Sequence, residues 1–123
     1  VAQYQSKVSD LYVPYIRPQE NGHKTEVRSV SFKNTDGNGI LISAINELLG
    51  FSAHHQLVSD FDEGDKKIQR HTYDVPQRSL VNVNIDHQHM GVGGDTSWGA
   101  LPHEQYLVPA QNYDYSYIIQ SIE

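Results

Sequence analysis

One stretch of the chain, residues 81–98, constrains the fold more than any other. Its first six residues alternate valine or isoleucine with asparagine or aspartate, and this period of two predicts a strand with one buried face. The strand runs directly into the glycine-rich segment 91–94, where missing side chains let the backbone turn sharply. The stretch ends at Trp98, the only tryptophan in the chain. This order predicts a strand followed by a defined loop that delivers one flat apolar side chain.

The residues alone leave two uses of Trp98 open. The indole can stack on a ligand, or it can fill the end of a β-sandwich, as most tryptophans are largely buried. In both cases the same neighbours shape the loop or flank the indole, namely Gly91, Gly93, Gly94, Asp95 and Ser97.

The rest of the chain predicts an all-β, mostly antiparallel β-sandwich with little helix. Runs of β-branched and aromatic residues, separated by turn residues, predict four further strands. These are expected at 26–33, 40–45, 104–108 and 113–119. The composition and length are those of one domain with a single core, so residues 1–123 are assigned to one domain.

Several connecting segments also have local signals. Residues 35–39 read Thr-Asp-Gly-Asn-Gly, which strongly predicts a hairpin turn. Segment 11–18 carries two prolines, so an edge strand or an extended crossover is expected there. Ser52 is a candidate cap for a short helix over 52–59. The charged segment 62–67 is expected to be an exposed loop, because the spacing of a calcium-binding loop is absent.

Charge and composition exclude several function classes. The formal net charge of −6 leaves no basic footprint for nucleic acid or for an anionic membrane surface. The chain contains no cysteine, which excludes disulfides, thiol catalysis and cysteine-based zinc sites. No apolar run approaches the roughly 18 residues of a membrane span. Because the chain begins at Val1 without a leader, we expect it to be a piece of a longer polypeptide.

The histidines are candidate metal ligands, and the carboxylates are candidate catalytic groups. His87 and His89 share one strand parity and can act as two metal ligands, with Asp95 or His103 as a third, but hydrogen-bonded structural histidines are favoured. Glycoside hydrolysis needs two carboxylates roughly 5–10 Å apart. Nothing in the sequence singles out such a pair, since turns or exposed strand faces explain the available candidates, which are Glu20, Glu26, Asp86 and Glu104.

Four segments, taken in order, resemble the C-terminal domain of the family-2 glycoside hydrolase β-galactosidases. The most specific is His89-Met-Gly-Val-Gly-Gly-Asp-Thr-Ser-Trp98, preceded by Val83-Asn-Ile-Asp86. A second segment resembles the beginning of that domain; it reads Ser9-Asp-Leu-Tyr-Val-Pro-Tyr-Ile-Arg-Pro-Gln-Glu-Asn-Gly22. Two weaker matches are Phe51-Ser52 with Gln56-Leu57, and residues 113–119. The resemblance spans nearly the whole chain, and its glycine-tryptophan motif is long.

The resemblance implies the C-terminal portion of the last domain of a larger enzyme, a β-sandwich of the galactose-mutarotase-like supersandwich type. It implies partners in the same polypeptide, a catalytic TIM barrel and other domains, and a β-galactoside substrate. Both catalytic glutamates and the magnesium and sodium ligands of that family lie in other domains, so no cofactor is expected here. The family position that carries over is Trp98, which would stack on the leaving-group sugar.

The resemblance also has departures, and alternatives remain. Segment 57–81 appears longer than the family pattern and carries the charged loop. Missing upstream strands would leave a sheet face or edge exposed, so self-association as a homo-oligomer is one expected consequence. The first alternative function is a free-standing carbohydrate-binding module, and the second is a small metal-dependent β-protein.

Overall fold

The computed structural model describes residues 1–17, 19–62, 64–65, 71–91, 93–96 and 98–123. Six β-strands are found in these residues: β1 Lys24–Val27, β2 Ser29–Lys33, β3 Gly39–Ala44, β4 Leu49–His54, β5 Asn82–Asp86 and β6 Tyr117–Ile122. They form two three-stranded sheets, with the orders β1-β4-β5 and β2-β3-β6. The helices described are short 3-10 helices at Val8–Leu11, Val58–Asp60, Thr72–Asp74 and Glu104–Tyr106. The predicted all-β, mostly antiparallel sandwich class with little helix is therefore confirmed.

The chain divides into two compact units. Unit 1 comprises Val1–Lys24 and Phe51–Ile85, and unit 2 comprises Thr25–Gly50 and Asp86–Glu123. None of the described helices is long enough and apolar enough to cross a bilayer. The assignment of residues 1–123 to one domain stays a prediction.

In unit 2, β2 and β3 form the predicted hairpin. Val30 lies opposite Ile42 and Phe32 lies opposite Ile40, so the apolar side chains of the two strands meet in register. The turn between them is closed by Asn34, whose Oδ1 accepts hydrogen bonds from two backbone N–H groups at 3.0 Å. Ile42, which is 3% exposed, is buried at the centre of this sheet, because β6 pairs with β3 on its other side.

Unit 1 is packed around a partly polar centre. Ser52 and Ala53 of β4 are 1% and 0% exposed. The ring of Tyr12 meets His54 edge-on, with 6.4 Å between the ring centroids. Residues 12–17 form no strand, and the Asn21 side chain bonds both the N–H and the carbonyl of Val13, at 2.8 and 2.7 Å. Leu11 ends the 3-10 helix Val8–Leu11 and residue 18 lies outside the described residues, so the edge strand expected in segment 11–18 is not found among residues 11–17.

Three predicted elements were wrong or misplaced. The helix expected over 52–59 is absent: Ser52 lies in β4, and a single 3-10 turn follows at Val58–Asp60. The strand expected at 104–108 is instead the 3-10 helix Glu104–Tyr106. The strand expected at 113–119 begins only at Tyr117 and continues to Ile122.

Two further segments differ in detail. The strand expected at 26–33 is interrupted at Arg28, between β1 and β2. Glu26, within β1, has a φ of 57°, in the left-handed region that residues other than glycine rarely adopt. In the charged segment 62–67, Asp62, Gly64 and Asp65 are exposed as predicted, while residues 63, 66 and 67 lie outside the described residues.

Candidate functional site

The segment 91–106, here called the tryptophan loop, follows β5 and ends in the 3-10 helix Glu104–Tyr106. Trp98 lies near its middle and is 94% exposed. An indole with that exposure buries almost none of its apolar surface within this chain. The alternative in which Trp98 fills the end of the sandwich is therefore contradicted for the chain as it stands.

The base of the loop is closed at Gly91. Its N–H donates to the carbonyl oxygen of Tyr106 at 2.7 Å. A Cβ added at Gly91 would lie only 2.7 Å from the Cβ of Tyr106, closer than real Cβ atoms approach other heavy atoms. Glycine is thus required here because the two ends of the loop are in direct contact.

The middle of the loop is packed just as closely. A Cβ at Gly94 would lie 2.6 Å from the carbonyl oxygens of both Ala100 and Leu101. Gly93, the preceding residue, has a φ of 85°, a conformation that side chains disfavour. The glycines of this motif therefore allow one limb of the loop to lie directly against the backbone of the other.

A side-chain contact joins the same two limbs. The Nε2 of His103 donates to the Oδ1 of Asp95 at 2.8 Å. Both side chains are exposed, Asp95 by 83% and His103 by 56%. From the sequence, Asp95 and His103 were alternative third ligands of a metal site, and their pairing with each other was not predicted. Ser97, the remaining residue of the predicted set, lies outside the described residues.

His87 has a different environment from His103. Its Nδ1 lies 3.1 Å from the Oε2 of Glu47, and its ring stacks on Tyr115 with centroids 5.3 Å apart and planes inclined by 22°. The metal hypothesis grouped His87 and His89 with Asp95 or His103. In the structure His87 and His103 have separate carboxylate partners, and His89 is exposed. The aromatic contact of His87 had no signal in the sequence beyond the tyrosine-rich ending.

Unit 1 contains a small cavity of about 60 Å³ that is lined by both polar and apolar side chains. Its wall includes Glu20, Ser52, His54, Gln56 and Asn84. The Nδ2 of Asn84 donates to the Oγ of Ser52 at 3.1 Å, while the Oε1 of Gln56 is buried and has no hydrogen-bond partner among the described residues. Burial lowers the pKa of His54, and the nearby Glu20 carboxylate opposes that shift in part. The side chains come from three separate segments, so sequence patterns gave no sign of this cavity.

The carboxylates considered from the sequence are mostly at the surface. Glu20, Glu26 and Glu104 are exposed, and Asp86 is half-buried at the end of β5. Glu20 lies 3.6 Å from the Nδ1 of His23 and accepts the Asn21 N–H at 3.2 Å, as expected for a turn residue.

The chain is similar to known β-galactosidases over nearly its whole length. The family model described as "Beta galactosidase small chain" matches residues 1–119. The β-galactosidase of Pseudoalteromonas haloplanktis is 33% identical over 113 residues, which are 92% of this chain. That of Halalkalibacterium halodurans is 33% identical over 107 residues, or 87% of the chain. That of Streptococcus thermophilus is 28% identical over 123 residues, or 99% of the chain.

These relatives are much longer than the chain. The matched region covers 10% of the first two enzymes and 12% of the third. The chain therefore spans about a tenth of the length of the relatives that it matches.

Proposed function

Because the chain belongs to the β-galactosidase small-chain family, we propose that it is a segment of a retaining β-galactosidase acting on terminal β-D-galactosyl residues of lactose-like substrates. The segment is the C-terminal portion of the last β-sandwich domain of that enzyme. It carries no catalytic glutamate. Its tasks are to stabilise the assembly with the other domains and to supply Trp98 to the site of the leaving-group sugar.

The observation that supports this role is the 94% exposure of Trp98 on a loop closed by several close contacts. A large exposed aromatic ring has no benefit for the stability of the chain that carries it. Its flat face is suited to the C–H face of a pyranose, while polar groups nearby reach the sugar hydroxyls. Since the relatives are named β-galactosidases, we assign the leaving-group sugar to that face.

Catalysis is divided between this segment and the rest of the enzyme. A retaining glycosidase uses one carboxyl group as acid and base and a second as nucleophile. We assign both glutamates, and the magnesium and sodium ligands of the full enzyme, to its other domains. In the tryptophan loop the Asp95 carboxylate and the His103 imidazole bind each other. Trp98 orients the leaving sugar, while a carboxyl group of another domain protonates the glycosidic oxygen.

Trp98→Ala in the full-length enzyme tests this proposal. Loss of one stacking contact is expected to raise KM for a β-galactosyl disaccharide by about three- to tenfold. The rate of galactosyl transfer from an aryl galactoside should change much less, because its leaving group does not need the sugar subsite. Tyr4→Ala, which removes another aromatic ring that is 94% exposed, is the matched control. Unchanged disaccharide kinetics in Trp98→Ala would exclude the proposal.

A second candidate function is a free-standing carbohydrate-binding module. The exposure of Trp98 also fits this alternative, because an indole open to solvent offers its flat face to a sugar in the 123-residue chain itself. Isothermal titration of the 123-residue chain with galactose and lactose distinguishes the two. Binding by this chain alone supports the module, and binding abolished by Trp98→Ala would place the sugar on the indole. The enzyme proposal predicts no measurable binding.

A further inference from the structure

The contact between His103 and Asp95 joins the two limbs of the loop that carries the indole. The two residues are eight positions apart and are joined at 2.8 Å, with Trp98 between them in the chain. We propose that His103 is a positioning residue, whose hydrogen bond to Asp95 fixes the tryptophan loop and so sets the affinity for the leaving-group sugar. This inference rests on the function proposed for Trp98.

The place of His103 in the chain allows it to act on the whole loop. It directly precedes the 3-10 helix Glu104–Tyr106, and its carbonyl oxygen accepts the N–H of Tyr106 at 2.8 Å. The carbonyl of Tyr106 in turn accepts the N–H of Gly91 at 2.7 Å, at the base of the loop. One turn therefore holds the base of the loop through its backbone and the limb next to Trp98 through the His103 side chain.

The donor of His103 and the acceptor of Asp95 are suited to a hydrogen bond with each other. An ionised carboxylate only accepts hydrogen bonds, and an imidazole with hydrogen on Nε2 donates both when neutral and when protonated. Asp95 lies three residues before Trp98, so fixing Asp95 restricts the backbone that aims the indole. The side-chain contact described for His103 is the one with Asp95, so we assign it a role in positioning the indole and no contact with the sugar.

The exposure of the pair limits the size of its effect. The side chains are 83% and 56% exposed, and exposed ion pairs add little to global stability. Losing the contact should therefore loosen the loop without unfolding the domain. The expected change in the affinity for the leaving-group sugar is about two- to fivefold.

The test uses the full-length enzyme carrying His103→Ala, His103→Gln or Glu104→Ala. Glutamine retains an N–H donor and should restore part of the contact. Glu104 is exposed in the same turn, and its substitution is the control. Hydrogen–deuterium exchange by mass spectrometry reports on order in residues 91–106, and KM and kcat for a disaccharide and an aryl galactoside report on the sugar subsite.

The proposal requires that His103→Ala speeds exchange in the loop and raises disaccharide KM at unchanged melting temperature, with partial rescue by His103→Gln. The KM effect should vanish when Trp98→Ala is already present. Unchanged exchange, or faster exchange without a KM effect in an enzyme where Trp98→Ala does raise KM, overturns the positioning role. If Trp98→Ala itself leaves KM unchanged, the proposed function fails and the affinity role of His103 fails with it, while loop exchange still decides whether His103 orders the loop.

Discussion

The guanidinium of Arg78 lies against the carboxylate of Asp60, with 2.9 Å between Nε and Oδ2 and a second bond from the terminal nitrogen to Oδ1. Asp60 is only 4% exposed, and its Oδ2 also accepts the N–H of Leu57 at 2.8 Å. The paired carboxylate raises the pKa of Arg78 through this hydrogen bond. The contact fixes the 3-10 turn Val58–Asp60 to the segment that leads into β5.

The first prediction is that Arg78→Ala lowers the melting temperature of the chain, because it leaves the carboxylate of Asp60 buried without its cation. Arg78→Lys should be intermediate, since an ammonium group cannot form the two parallel bonds. Asp60→Ala also removes the cap on Leu57, a loss of about 0.5–2 kcal/mol from that bond alone. Thermal unfolding followed by circular dichroism measures all three variants.

The interaction between these two side chains is separated from their individual effects by a double-mutant cycle with Asp60→Asn. Once the charge on Asp60 is gone, the further cost of Arg78→Ala should shrink. Equal costs of Arg78→Ala in both backgrounds would show that the ion pair contributes nothing.

The second prediction concerns the fluorescence of Trp98, which is the only tryptophan in the chain. Since the indole is 94% exposed, its emission should be that of an indole in water, and iodide and acrylamide should both quench it efficiently. Emission shifted to shorter wavelength and protected from iodide would mean that the indole is covered in the isolated chain. Guanidinium unfolding provides the fully exposed reference.

The third prediction is that Gly94→Ala displaces the tryptophan loop. The new Cβ would meet the carbonyl oxygens of Ala100 and Leu101 at 2.6 Å, and backbone atoms cannot move aside cheaply. In the full-length enzyme this variant should raise disaccharide KM at least as much as loss of the His103 contact. Gly37→Ala is the control for general destabilisation, because its φ of 92° strains an alanine at a hairpin position outside the tryptophan loop. Normal disaccharide KM in Gly94→Ala would show that the two limbs of the loop need not touch.

The elements that depend on local patterns were predicted from the sequence, and those that depend on distant partners were not. The 35–39 hairpin and the strand before the tryptophan loop carry their own turn and alternation signals, so they were found. Ser52 resembled a helix cap, but its hydroxyl accepts a bond from Asn84, which is 32 residues away. No local pattern contains that partner.

The candidate site shows the same division. The glycines and Trp98 were identified because their spacing is a recognisable motif. The exposure of the indole, the pairing of Asp95 with His103 and the contact of Gly91 with Tyr106 depend on how residues 99–106 return to the loop. A strand was predicted at 104–108, whereas the structure has a 3-10 helix at Glu104–Tyr106 that begins directly after His103.

The fourth prediction is a loss of stability on mild acidification that depends on His54. Its pKa is lowered from the model-peptide value of 6.5, mainly by burial, so the folded state favours the neutral ring. Below pH 6.5 the unfolded chain binds a proton that the folded chain resists, so stability falls as the pH drops from 6.5 towards the folded pKa and levels off below it. His54→Gln should flatten the melting temperature between pH 7.5 and 5.5. An unchanged slope in that variant would assign the pH dependence to other groups.

The last prediction concerns β6, the outermost strand of its sheet among the described residues. Ile118 and Ile119 are 47% and 58% exposed, although they point to opposite faces, so this edge combines open backbone with apolar side chains. Such an edge is a template for pairing with another strand. We therefore expect the 123-residue chain to self-associate with rising concentration, and Ile119→Lys to suppress this, as measured by sedimentation velocity. Ile45→Lys replaces an isoleucine that is 49% exposed outside any strand and should leave association unchanged. A chain that stays monomeric throughout would show that β6 needs no covering partner.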